Sequence, residues 1–69
     1  MLSFEIVKAG TAPAIQICCD NEGLDLLFRT LEDVRRIGHV HLLAPMELSG
    51  KTPFGKDAIL EVMVTTGGD

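Results

Sequence analysis

A single stretch of helical periodicity, with strand-like segments on both sides, is the strongest constraint on how this 69-residue chain folds. Within it, apolar residues recur at the i, i+3, i+4 and i+7 spacing of one helical face. The residues of this helical face are Leu24, Leu27, Phe28, Leu31 and Val34. Asp20 or Asn21 can cap the start of the helix, and Gly38 suits the position after its end. One amphipathic helix needs a second layer to cover its apolar side.

Four segments around the helix have the alternation or the β-branched content of strands. They cover residues 2–8, 14–19, 39–44 and 58–65. Turn chemistry at residues 9–13 predicts a hairpin between the first two strands, with a loop of about five residues. A longer loop, residues 45–56, contains two prolines and two glycines and separates the last two strands.

These elements predict an α+β fold in the order β-β-α-β-β, with one amphipathic helix packed on one face of a mostly antiparallel four-stranded sheet. The chain is expected to form a single small domain, residues 1–69, with a flexible tail at about residues 66–69. The strand residues expected to pack against the helix are Leu2, Phe4, Ile6, Ile15, Ile17, Val40, Leu42, Leu60, Val62 and Val64.

Charge and composition narrow the classes of function. Ten acidic residues against six basic ones give a formal net charge of −4, which disfavours binding to nucleic acid or to an anionic membrane. Three Phe without any Trp or Tyr offer little for stacking bases. The adjacent Cys18 and Cys19 favour free thiols in a reducing compartment. Without a basic, apolar leader or an apolar run of about 18 residues, we expect a cytoplasmic protein that needs no cofactor.

His39 and His41 stand two positions apart on a strand, so their side chains share one face of the sheet. With a carboxylate such as Glu61 from the neighbouring strand they would form part of a zinc site, which takes three or four ligands. The sequence contains no third histidine. The favoured interpretation therefore places both imidazoles on the open face of the sheet, where they are free to contact a partner.

No motif in the chain has the spacing of a catalytic or phosphate-binding site. Gly50-Lys51-Thr52 has the letters that end a phosphate-binding loop, but Pro45 stands where the first glycine is required. The acidic residues at the helix start are explained by capping and by the helix dipole. We therefore expect a protein without enzymatic activity.

Short motifs in the middle of the chain resemble those of a known family. They are the helix opening Asp20-Asn21-Glu22-Gly23-Leu24, the strand Gly38-His39-Val40-His41-Leu42 and the Glu47-Leu48-Ser49 that follows it. Together they resemble immunity protein family thirty-two of bacterial polymorphic toxin systems, over about residues 15–64. The resemblance implies a small cytoplasmic protein that binds and neutralises a cognate toxin. It also directs attention to His39, His41, Glu47 and Leu48.

The sequence thus predicts a small protein-binding module, and an immunity protein in the interpretation that the resemblance supplies. The expected partner-binding residues lie on the sheet face away from the helix and in the following loop: His39, His41, Leu43, Glu47, Leu48, Glu61 and Met63. Two alternatives stay open. One is a metal-binding domain that uses His39 and His41, and the other is a subunit that buries the same sheet face in a homodimer.

Overall fold

The computed structural model describes residues 1–67 and has the predicted order of elements. β1 (Leu2–Ala9) and β2 (Ala12–Cys19) form an antiparallel hairpin. β3 (His39–Leu43) and β4 (Glu61–Thr65) form a second antiparallel pair. α1 (Asn21–Ile37) connects the two pairs and packs against both. The α+β class is therefore confirmed.

The predicted four-stranded sheet is wrong, because the two hairpins form separate two-stranded sheets. They meet at β1, where the Leu2 carbonyl accepts the N–H of Ser49 at 2.8 Å and the Phe4 carbonyl accepts the N–H of Ile59 at 2.6 Å. After Ile59 the chain pairs with β3, so β1 and β4 share no ladder within residues 1–67. The last strand accordingly begins at Glu61, and Leu60 lies outside it.

The first hairpin is tighter than predicted. Ala9 pairs with Ala12, so the loop consists of Gly10 and Thr11. Gly10 has a φ of 68°, which suits the first central position of the type II′ turn that matches the twist of paired strands. Pro13, expected in the turn, lies within β2. Proline fits there because β2 is an edge strand in the described sheet and loses no ladder bond on its open side.

α1 begins and ends where its capping residues predicted. The Asp20 carboxylate accepts the N–H of Gly23 at 2.8 Å, and the N–H of Gly38 donates to the Val34 carbonyl at 2.8 Å. A second hydrogen bond, from the amino group of Met1, is the main reason why the pKa of Asp20 lies below its ordinary value. Within residues 1–67 no helix is both long and apolar enough to cross a membrane.

The core lies where the open end of the first hairpin meets β3 and the loop that follows it. Four side chains form its centre, each no more than 7% exposed: Leu2, Phe4, Leu42 and Leu48. Half-buried apolar side chains surround them, including Leu26, Leu27, Val40, Ala44, Ile59 and Val62. Elements on both sides of α1 therefore contribute to one small core.

Seven side chains that the sequence placed in the core are exposed instead: Ile6, Ile15, Ile17, Leu24, Phe28, Leu31 and Leu60. On the helix, the buried positions are Gly23, Thr30 and Val34. The helix is therefore turned so that one flank of its apolar side faces outward. Because the two sheets separate after Ile59, no wide sheet lies beneath that flank or beneath the far half of the hairpin.

The end of β4 returns to the end of α1. Both the N–H and the hydroxyl of Thr66 donate to the Gly38 carbonyl, at 3.0 and 3.4 Å. Thr66 is the first residue of the predicted tail, and these bonds tie it to the helix C-terminus. Residues 68–69 of that tail lie outside the described residues.

Candidate functional site

The register of β3 and β4 brings five of the seven predicted partner-binding residues together on one face of their sheet. His41 lies opposite Met63, and Leu43 lies opposite Glu61. Together with His39, these side chains are all exposed. We call these five residues the β3–β4 face. The alternate residues of both strands point to the other side, where Leu42 is part of the core.

His41 is the centre of the β3–β4 face. Its Nδ1 atom lies 3.9 Å from Oε1 of Glu61, and its ring meets the His39 ring edge to face with 5.5 Å between centroids. Met63 is directly across the ladder and is 56% exposed. The face thus combines apolar area with imidazole and carboxylate groups, which are able to form hydrogen bonds. Such a mixture, including methionine, is typical of surfaces that bind proteins.

The metal-site alternative gains no support from the geometry of this face. His39, His41 and Glu61 are neighbours, yet no group of three His, Cys, Asp or Glu side chains in residues 1–67 is arranged to hold a metal ion. The Nδ1–Oε1 separation of 3.9 Å joins two exposed side chains and is longer than a hydrogen bond, and such exposed contacts contribute little to stability.

The two loop residues predicted to contact a partner, Glu47 and Leu48, make contacts within the chain instead. The Glu47 carboxylate accepts the N–H of Leu43 at 3.1 Å, and the N–H of Glu47 donates to the Leu43 carbonyl at 2.8 Å. This carboxylate therefore closes the turn that follows β3. Leu48 is 1% exposed and belongs to the core. The prediction that Leu48 contacts a partner is corrected, because the loop folds back and buries this side chain under β1.

The remainder of the loop is a structured turn with an exposed aromatic side chain at its tip. The N–H of Thr52 donates to the Lys56 carbonyl at 2.9 Å. Lys51 and Asp57 form an ion pair with 2.6 Å between Nζ and Oδ1, and this hydrogen bond lowers the pKa of Asp57. Phe54, 66% exposed, stands at the tip.

Sequence reasoning missed a second exposed surface, which lies on the first hairpin. Ile6 and Ile15 are directly opposite each other, and Ile17 is two residues further along the same face. Their side chains are 69%, 68% and 48% exposed. We call these three residues the hairpin patch. Contiguous exposed apolar side chains are a common feature of interaction sites in other proteins.

A third exposed surface lies along α1 and consists of Leu24, Phe28 and Leu31, which we call the helix stripe. These residues are 40%, 58% and 48% exposed. The apolar residues of α1, counted from Leu26 round to Phe28, span about 200° of the helix circumference. That width is the sequence signal that was overlooked, since one supporting layer cannot cover it.

Comparison with protein-family models, with curated proteins and with solved structures finds no match for this chain. The resemblance to immunity protein family thirty-two therefore stays a prediction.

Proposed function

We propose that this protein is a non-enzymatic module that binds a protein partner through the β3–β4 face. One observation carries the proposal. Five side chains of mixed chemistry are exposed on one side of a two-stranded sheet, while the other side of the same sheet packs on the core. The paired backbone sets the relative positions of the five Cα atoms, so binding does not require this part of the backbone to become ordered.

Apolar contacts made by this face supply most of the binding energy. Leu43 and Met63 offer the apolar area, and His41 and Glu61 border it with groups that form hydrogen bonds. In protein interfaces a few central side chains dominate affinity, and polar neighbours exclude water and set orientation. The net charge of −4 favours a partner with a basic surface, because opposite charge accelerates association.

Within this proposal, the resemblance to the immunity family gives the partner its identity. The module binds a cognate toxin domain in the cytoplasm and blocks it by steric and electrostatic masking. Such an action requires a well-placed surface and no catalytic residue.

The test is capture of the partner from lysate of the source cell by the tagged protein, followed by mass spectrometry. A toxin-like domain is expected with the wild type and is expected to be lost when His41→Asp and Met63→Asp are combined. Met46→Asp is the matched control, because Met46 is 81% exposed but lies outside the β3–β4 face. Retention of the same partner by the double variant would exclude this face as the binding surface.

A calorimetric titration with zinc separates partner binding from the metal alternative. We expect no micromolar heat with the wild type, because no group of three His, Cys, Asp or Glu side chains among the described residues is arranged to hold a metal ion. Micromolar binding that disappears in His41→Ala would contradict the proposal in favour of a metal site.

A further inference from the structure

An isolated copy of this chain has a small core for its composition. Hydrophobic residues make up 46% of the sequence, yet the buried ones within residues 1–67 are Leu2, Phe4, Val34, Leu42 and Leu48. Chains below about 70 residues commonly strengthen such a core with disulfides, a metal or oligomerisation. Cys18 and Cys19 are free thiols, and the described residues hold no metal-ligating group of three. Association is a further means.

The accessible surface is also larger than that of an ordinary monomer. A folded chain of 7.5 kDa exposes about 4,200 Å², whereas this chain exposes 5069 Å². The difference is about 800 Å², so one copy of this chain covers less of its surface than a compact monomer of the same mass does.

The two unpredicted surfaces are complementary in architecture. The hairpin patch is one apolar face of a sheet, and the helix stripe is one apolar side of a helix. Packing of a helix on a sheet is the arrangement that such faces adopt within a domain. Their residues are also those that the sequence pattern assigned to a core. A surface that resembles a domain core cut in half is typical of permanent homodimers.

We propose that two copies of this chain associate about a two-fold axis, with the hairpin patch of each copy packed on the helix stripe of the other. The contact is reciprocal, so one interaction occurs twice and the assembly closes. The helix-on-sheet layer that the sequence predicts within one chain is thus completed between two chains. The β3–β4 face takes no part and stays available to a partner.

A lysine beside the hairpin patch and two acids beside the helix stripe match this arrangement, although Arg35, four residues after Leu31, also borders the helix stripe. Lys8 follows Ile6 on the same face of β1, whereas Asp25 and Glu32 flank the Phe28 side of the helix stripe. Among the described residues, none of these three charged groups has an ion-pair partner. Packing a hairpin on the helix of a second copy brings the lysine of one chain toward the acids of the other.

Sedimentation equilibrium tests the dimer directly. The wild type is expected at twice the 7.5 kDa of one chain. Ile15→Asp and Phe28→Asp should each weaken association at least about 30-fold, because each buries a charge in the apolar contact. Met46→Asp, and the combined His41→Asp and Met63→Asp, should leave the dimer intact. A wild type that stays monomeric up to ~1 mM would overturn the proposal.

Mixing the two disruptive variants tests the reciprocal geometry. In a mixed dimer of Ile15→Asp with Phe28→Asp, both changes fall in one contact, and the other contact is fully wild type. The mixture should therefore associate more tightly than either variant alone, and it should regain far-UV circular dichroism if the separate variants unfold. Persistence of the dimer in both single variants, or no gain on mixing, would refute the hairpin-on-helix contact. Dissociation by the His41 and Met63 changes would place the dimer on the β3–β4 face instead.

Discussion

Ile6 and Ile15 face each other directly across the ladder of the first hairpin, and their side chains are 69% and 68% exposed. The same strand face carries Leu2 and Phe4, which are buried in the core. One continuous apolar face therefore runs from the interior of the molecule into solvent. The hairpin is longer than the layer that covers it.

Replacing both residues by threonine, as Ile6→Thr and Ile15→Thr, should change stability in a way that depends on protein concentration. Threonine keeps the preference for a strand, and exposed substitutions usually alter the free energy of unfolding by less than about 0.5 kcal/mol each. Thermal unfolding at two concentrations about 100-fold apart should give a higher Tm for the concentrated wild type, because association stabilises the folded state. The double variant should show no such difference. An equal concentration dependence in both proteins would argue against burial of this pair in a dimer.

Gly23→Ala should destabilise the protein, although alanine is normally favoured over glycine inside a helix. A Cβ at this position would lie 1.8 Å from the carbonyl oxygen of Met1, so β1 and α1 would have to separate. We expect a loss of about 1–3 kcal/mol in the free energy of unfolding, as for an overpacked core. Gly50→Ala is the control, because a Cβ there meets no atom within 4 Å. Denaturant unfolding measures the stability of both variants. An unchanged midpoint for Gly23→Ala would show that the close approach of Gly23 to Met1 is not required for stability.

Local features of the chain were predicted well because they depend on neighbouring residues. Asp20 and Gly38 cap the helix as their side chain and backbone preferences dictate. The alternation of residues 39–43 placed His39 and His41 outward and Leu42 in the core. Such patterns are decided within a few residues, so they can be read without knowing the rest of the fold.

Long-range arrangement was predicted less well. Periodicity identifies which side chains are apolar, but it does not tell which layer, or which copy of the chain, covers them. Ile59 donates its N–H to the Phe4 carbonyl of β1, and from Glu61 onward the chain pairs with β3 instead. The separation of the two sheets depends on the path of the loop between β3 and β4 and not on the pattern of any strand. Because the sheets separate, Leu60 and the hairpin patch are exposed. Leu48 was misassigned for the same reason, since its burial depends on the fold of the loop.

Asp20→Asn should reduce the loss of stability that acid causes. Hydrogen bonds from the Met1 amino group and from the Gly23 N–H hold the pKa of Asp20 below its ordinary value. The folded protein therefore binds this proton less readily than the unfolded chain. The resulting stabilisation is fully present above the ordinary pKa and is lost as pH falls through the lowered one. Asparagine keeps the cap and removes the titration.

Thermal unfolding between about pH 2 and pH 6 measures this contribution. The Tm of Asp20→Asn should fall less steeply with acid than that of the wild type. Asp57→Asn is the informative comparison, because the pKa of Asp57 is lowered by Lys51 in the exposed loop rather than at the helix start. If the Tm of both variants falls with acid as steeply as that of the wild type, neither carboxylate contributes to the acid sensitivity.

Leu48→Ala and Leu60→Ala should lower the free energy of unfolding by very different amounts, although both leucines belong to the segment around the long loop. Leu48 is 1% exposed and lies in the core, whereas Leu60 is 65% exposed. Truncating a buried leucine costs about 2–5 kcal/mol, and truncating an exposed one costs less than about 0.5 kcal/mol. Urea unfolding of the two variants gives both values. Equal costs would show that Leu60 is covered in solution and would require a different path for residues 59–61.

Glu47 separates a structural role from a role in partner binding. Its carboxylate accepts the N–H of Leu43 at 3.1 Å and so closes the turn after β3. Glu47→Ala should therefore lower the free energy of unfolding by about 1 kcal/mol, because it removes one acceptor from a main-chain donor. Glu47→Gln keeps an acceptor oxygen and should retain most of the stability. If Glu47 also contacts a partner through its charge, Glu47→Gln will bind the partner more weakly but will unfold like the wild type. Calorimetry measures the binding, and denaturant unfolding measures the stability. Equal stability of the alanine variant and the wild type would mean that the Leu43 hydrogen bond does not hold this turn.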